Sequence, residues 1–157
     1  CNQNDWKKQL ISQTKKLNSY NKKILLVSHP YNVYDNYIGL PIIKKLEQMG
    51  VEIIYANLLE HKTARMYAKN LSPTLYWTYS KELIGAIEYY HYSVDGIIFL
   101  TTFPCGPDSL VNELMIRKIS DIPVTNILVD EQTSSTGLET RLESFIDIIN
   151  ERRKNNG

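Results

Sequence analysis

Residues 22–55 read KKILLVSHPYNVYDNYIGLPIIKKLEQMGVEIIY, and their pattern decides the fold. Ile24-Leu25-Leu26-Val27 is a continuous apolar run of strand length. Such a run suits a strand buried on both faces, as parallel sheets require. It stops at Ser28-His29-Pro30-Tyr31. Residues 36–49 then read as a helix with Leu40, Ile43, Leu46 and Met49 on one stripe, and Gly50 follows where helices commonly end. Val51 to Tyr55 is a second strand. Strand, helix and strand in this span make a βαβ unit, whose crossover is right-handed.

The alternation continues outward. Residues 59–71 read as a turn or short helix. Ser72-Pro73 has the form of an N-cap followed by proline, so residues 73–92 read as a helix with Leu75, Tyr79, Leu83, Ile87 and Tyr90 on its stripe. Gly96 to Leu100 is the third strand. Residues 109–119 read as a helix with Leu110, Leu114 and Ile119 at helical spacing, capped by Asp108 or Ser109. Val124 to Val129 is the fourth strand. Thr136 and Glu139 have capping-box spacing before a last helix carrying Leu138, Leu142, Phe145 and Ile149 on one face. Arg152, Arg153 and Lys154 fall in its final turn, where cations complement the helix dipole. Four strands alternating with helices predict a doubly wound α/β fold with helices on both faces, and a flavodoxin-like order 2-1-3-4. Residues 1–20, with Trp6, Leu10, Ile11 and Leu17 at helical spacing, read as an entry helix or the tail of a preceding domain. Residues 21–157 form the α/β lobe. The start at Cys1 suggests a fragment of a longer chain.

Composition narrows the function classes. The 157 residues carry 18 basic and 17 acidic side chains, a net charge of +1. That balance gives no long-range field for nucleic acid. Only two cysteines are present, without a CxxC pair, which suits a reducing cytoplasm. The apolar stretches are strand-sized, so no membrane span is expected.

In a doubly wound sheet, ligands bind beyond the carboxyl ends of the strands, at the switch point. Three loops meet there: His29-Pro30-Tyr31, Thr101 to Asp108, and Asp130-Glu131-Gln132. Cys105 lies between a strand and a helix start, where free amides and the helix dipole favour a thiolate. The same position also suits a small buried apolar residue. Spacing excludes several chemistries. A Cys-x5-Arg phosphatase loop needs arginine at 111, which is Val111. A Cys-Gly-Pro-Cys redox pair needs a second thiol at 108, which is Asp108. One internal cysteine cannot hold zinc or an iron–sulfur cluster alone. Walker, Gly-x-Gly-x-x-Gly and Gly-x-Ser-x-Gly motifs are absent. His29 stands where it can meet a ligand or bond to backbone. His61 and His91 read as surface residues. Asp130 and Glu131 point to opposite sides of an extended chain, so they cannot form an acid/base pair. One of them can cap and the other can pair with Arg141.

Three stretches together resemble the 2-hydroxyacyl-CoA dehydratase superfamily, and its activase-related branch most closely. They are Ser28-His-Pro-Tyr-Asn-Val-Tyr-Asp35, Thr102-Phe-Pro-Cys-Gly-Pro-Asp-Ser109, and Asp130-Glu-Gln-Thr-Ser-Ser-Thr-Gly-Leu-Glu-Thr-Arg-Leu-Glu-Ser-Phe-Ile-Asp147. The resemblance spans about residues 20–150. It implies two flavodoxin-like lobes sharing a [4Fe–4S] cluster, with Cys105 as the metal ligand of the carboxyl-terminal lobe. The remaining ligands would come from a second lobe, and the electron from an ATP-dependent activator domain. Gly106, Asp108 and Ser109 would surround the cluster, and His29, Tyr31, Asp130 and Glu131 would line the cleft facing the second lobe. Gln132 stands where the family often has histidine, so dehydratase activity is not carried over. Two other functions fit the residues: a clusterless interaction lobe, and a lobe binding a small molecule such as an acyl-CoA.

Overall fold

Continuous apolar runs form interior strands because both of their faces must leave water. A computed structural model describes residues 22–71, 78–102, 106–130 and 135–156. Strands β1 (Lys22–Val27), β2 (Val51–Tyr55), β3 (Gly96–Thr101) and β4 (Val124–Leu128) form one sheet in the order β2-β1-β3-β4. All pairs are parallel, with Leu25 opposite Ile54 and Ile97, and Phe99 opposite Asn126. The expected flavodoxin-like order is therefore the observed one.

The helices are α1 (Pro30–Val33), α2 (Gly39–Gln48), α3 (His61–Leu71), α4 (Thr78–Tyr90), α5 (Gly106–Lys118) and α6 (Ser135–Asn156). Side-chain alternation divides the core in two. Ile24, Leu26, Ile98, Leu100 and Ile127 pack under α2 and α6, against Ile42, Leu46, Leu142, Phe145 and Ile149. Leu25, Val27, Ile97 and Phe99 pack under α4 and α5, against Ile84, Ile87, Val111, Met115 and Ile119. Each fully buried Leu, Ile or Phe contributes about 1.5–3 kcal/mol.

Several boundaries differ from the sequence reading. The helix expected over 36–49 loses its first residues to a turn closed by Asp35, whose Oδ1 accepts from the Tyr37 and Ile38 amides at 2.8 and 3.0 Å. α2 then starts at Gly39, where a Cβ would lie 2.0 Å from the Val33 carbonyl oxygen, so only glycine lets it follow α1 so closely. Residues 61–71 form a full helix, α3, and pack against α4 as a hairpin. Its seam is small: Ala64 and Ala68 are buried, and a Cβ on Gly85 would lie 1.7 Å from the Ala64 carbonyl oxygen. The Ser72-Pro73 cap lies outside the described residues.

α5 begins at Gly106, three residues earlier than expected, so Asp108 and Ser109 are inside its first turn rather than capping it. Its buried face is Val111, Met115 and Ile119, while Leu110 and Leu114 are 58% and 48% exposed. Thr136 is likewise inside α6, and its carbonyl accepts the Thr140 hydroxyl at 2.9 Å, so it is not the cap of a capping box. The C-terminal arginines do more than face a dipole. Arg153 pairs with Asp95 at 3.1 Å and Arg152 donates to the Asp121 carbonyl. His91 is not a free surface residue: its half-buried ring bonds Asp121 at 2.7 Å. His61 is exposed and pairs with Glu82 at 2.8 Å. No described helix is long and apolar enough to cross a membrane.

Candidate functional site at the carboxyl edge

β1 and β3 are neighbours, yet the chain leaves them in opposite directions, toward α1 and α5. That divergence opens the crevice at which doubly wound sheets bind ligands. The polar residues that close the strands are bonded to one another. Buried Ser28 donates from Oγ to the Leu100 carbonyl at 2.7 Å, which ties the end of β1 to β3. The His29 carbonyl accepts from the Asn32 and Val33 amides at 3.0 and 3.2 Å and starts α1. Pro30 at the first helical position costs no hydrogen bond there.

Thr102 donates to Asn32 Oδ1 at 3.0 Å, with both side chains buried. Thr101 donates to Asn126 Oδ1 and accepts from Asn112 Nδ2, each at 3.2 Å. The Thr101 carbonyl accepts from Val129 at 2.9 Å. These bonds fix α1, α5 and the loop after β4 relative to β3. Burial makes each of them costly to leave unmade.

The sequence candidates fall on this edge unevenly. His29 and Tyr31 are brought together, their rings stacked with centroids 5.0 Å apart and planes 17° from parallel, and Tyr31 turns to solvent. Ser109 is half-buried in the first turn of α5, and Asp130 is exposed just past β4. Gly106 and Asp108 occupy the first turn of α5, where helix amides lack intrahelical acceptors. Cys105 and Glu131 lie outside the described residues, as does Gln132. Asn32, Asn112 and Asn126 were missed by sequence reasoning. The polar step after an all-apolar strand pointed to Thr101 and Thr102, but nothing local marks an asparagine one turn into a helix.

A cavity of about 20 Å³ sits beside His29, lined by Ser28, Thr101 and Asn112 over Val27, Ile84 and Phe99. It has room for about one water. Further along the edge, Asn57 donates to the Tyr34 hydroxyl at 3.0 Å, while burial pushes the Tyr34 pKa up and that bond opposes it. Among the described residues no three His, Cys, Asp or Glu gather into a group that could hold a metal ion.

Residues 2–59 match a family model described as the CoA enzyme activase uncharacterised domain. Over those residues the chain is similar to a CoA enzyme activase-related domain. The match supports the activase-related branch of the 2-hydroxyacyl-CoA dehydratase superfamily. It covers β1, α1, α2 and β2 together with the Ser28-to-Asp35 stretch, and not the stretches around Cys105 and Asp130. No curated protein and no solved structure matches the chain. The matched stretch thus includes the crossover and the first loop of the crevice, His29 to Tyr31.

Proposed function

We propose that this activase-related chain is one lobe of an electron-transfer protein, and that its carboxyl edge faces a second lobe. Cys105 would donate one thiolate to a [4Fe–4S] cluster held between the two. The observation that carries this reading is the start of α5 at Gly106, directly after Cys105. A ligand at that position would stand at the positive end of a helix, which favours thiolate. One internal cysteine cannot hold a cluster alone, so the reading requires ligands from a second lobe.

When bound, such a cluster supplies one-electron transfer. The chain's own residues would tune and shield it. The amides of Gly106, Asp108 and Ser109 would donate toward sulfur, which raises a cluster's potential. His29 and Tyr31 would cover the crevice from the β1 side, and Asp130 and Glu131 from the β4 side. The bonded Thr102–Asn32 and Thr101–Asn126 pairs would hold these walls in place. The reducing partner in this reading is an ATP-dependent activator domain.

A clusterless lobe that docks other subunits is the second reading, and exposed Leu110 and Leu114 favour it.

The test is iron and acid-labile sulfide after strictly anaerobic reconstitution. It uses this chain and a version extended upstream in its gene, each beside Cys105→Ser. The expected result is a cluster in the extended protein that disappears with Cys105→Ser. No iron in either wild-type protein, with Cys105→Ser folding normally, would overturn the proposal.

A further inference from the structure

β4 is an edge strand, and its backbone parity is fixed by its partners. The Pro123 carbonyl accepts from Ile97, and the Val129 amide donates to Thr101, so the odd-numbered residues face β3. Val124, Asn126 and Leu128 therefore direct their N–H and C=O groups outward, and among the described residues those groups have no partner. Natural edge strands are normally guarded by charge, proline or a bulge. β4 reads Val-Thr-Asn-Ile-Leu and carries none of these guards.

The flank of this edge is apolar as well. Leu128 is 38% exposed at the end of the strand. α5 turns Asn112 toward α4, since Asn112 shares a cavity with Leu83 and Ile84. Leu110 and Leu114 lie on the opposite flank of α5, over the β4 side. Leu110, Glu113, Leu114 and Arg117 make an i, i+3, i+4, i+7 stripe, the pattern of a helix face that meets another helix.

We infer that a second copy of this chain pairs with β4 through a two-fold axis, joining two four-stranded sheets into one continuous sheet. The edge is self-complementary. Antiparallel pairing centred on Asn126 sets Val124 against the other copy's Leu128 and uses every outward N–H and C=O of the three residues. The α5 stripes then meet antiparallel, and the charges complement: Glu113 of each copy faces an Arg117, with leucines between them. Within one copy these two are already a 3.1 Å pair, so crossing over creates no like-charge contact. This interface uses a lateral edge of the sheet, distinct from the carboxyl edge, and does not depend on a cluster.

The test is sedimentation of the full chain across a wide concentration range, with Leu114→Lys and Leu128→Lys beside it. Both positions are exposed, and circular dichroism confirms that each variant is folded. The expected result is a dimer that either substitution weakens about tenfold or more. The register is read by Asn126→Cys in a Cys1→Ser, Cys105→Ser background. Residues facing each other in a hydrogen-bonded antiparallel pair have Cα atoms about 5.5 Å apart, within disulfide reach. Mild oxidation should cross-link Asn126→Cys far more than Thr125→Cys. A monomer at every concentration, a dimer indifferent to both lysines, or equal cross-linking at 125 and 126 would each overturn the inference.

Discussion

Thr102 and Asn32 lie 70 residues apart in sequence and are joined by a buried 3.0 Å hydrogen bond between the end of β3 and α1. The bond spans the crevice that the two diverging chains open. Replacing Thr102 with Val removes the donor and strands the Asn32 oxygen out of water. The expected cost is about 1–3 kcal/mol. Adding Asn32→Leu to Thr102→Val should restore part of that loss, because no orphan remains. Urea titration of the three variants measures the coupling, and additive losses would refute the bond's role.

The hairpin of α3 and α4 depends on one missing methyl group. Gly85→Ala forces a Cβ onto the Ala64 carbonyl and should cost about 3 kcal/mol or more through backbone separation. Gly50→Ala makes the useful contrast. Gly50 has φ of 72° with nothing near its Cβ position, so the cost there is conformational, about 1–2 kcal/mol. Thermal melts of the two variants should rank Gly85→Ala well below Gly50→Ala.

Alkaline stability follows from buried phenols. Burial raises the Tyr55 pKa far above the ordinary 10.0, with Glu47 and Tyr34 adding to it, and burial also raises Tyr34 and Tyr90. The unfolded chain ionises these groups first. Their contribution is therefore complete below the ordinary tyrosine value and is lost as pH rises through the folded values. Lys45, raised chiefly by its hydrogen bond to Glu143, acts in the same direction. Unfolding free energy should be insensitive to these groups near neutrality and fall above pH 10.0. Tyr55→Phe should shallow that alkaline limb in urea titrations across the range, and an unchanged slope would count against the assignment.

Asp95 is the clamp at the amino edge of the sheet. It accepts from the Lys23 amide at 2.8 Å and from Arg153 at 3.1 and 3.2 Å. Arg153→Ala removes a partly exposed ion pair and should cost only about 0–1 kcal/mol. Asp95→Ala also removes the acceptor of the Lys23 amide and should cost more, by about 0.5–1.5 kcal/mol. Hydrogen exchange at Lys23 separates the two, since only Asp95→Ala should accelerate it.

β1 and β3 were legible because each holds a short apolar run bounded by polar or turn residues, and the strand order followed from alternation with helices. The face of α6 was legible too, because Leu138, Leu142, Phe145 and Ile149 stand out against charged neighbours. α5 was misread for a definite reason. Leu110-Leu114 and Val111-Met115-Ile119 are both apolar sets at helical spacing, so periodicity alone cannot rank them. Of the site, the loops were legible and the bonds within them were not. Asn32 and Asn112 are ordinary helix residues, and Asn126 an ordinary strand residue, until the sheet sets them beside Thr101 and Thr102.

The sequence by itself determined a parallel, doubly wound sheet, since runs such as Ile24 to Val27 and Gly96 to Leu100 can leave water only between two helical layers. It also put His29, Tyr31 and Asp130 in loops beyond the carboxyl ends of the strands. Only the tertiary structure decided which side of α5 is buried, which asparagines hold the crevice, and that uncharged β4 is an edge strand among the described residues. Those outcomes depend on contacts between residues far apart in the chain. Local propensity and spacing carry no record of such contacts, because their free energy exists only once the layers have packed.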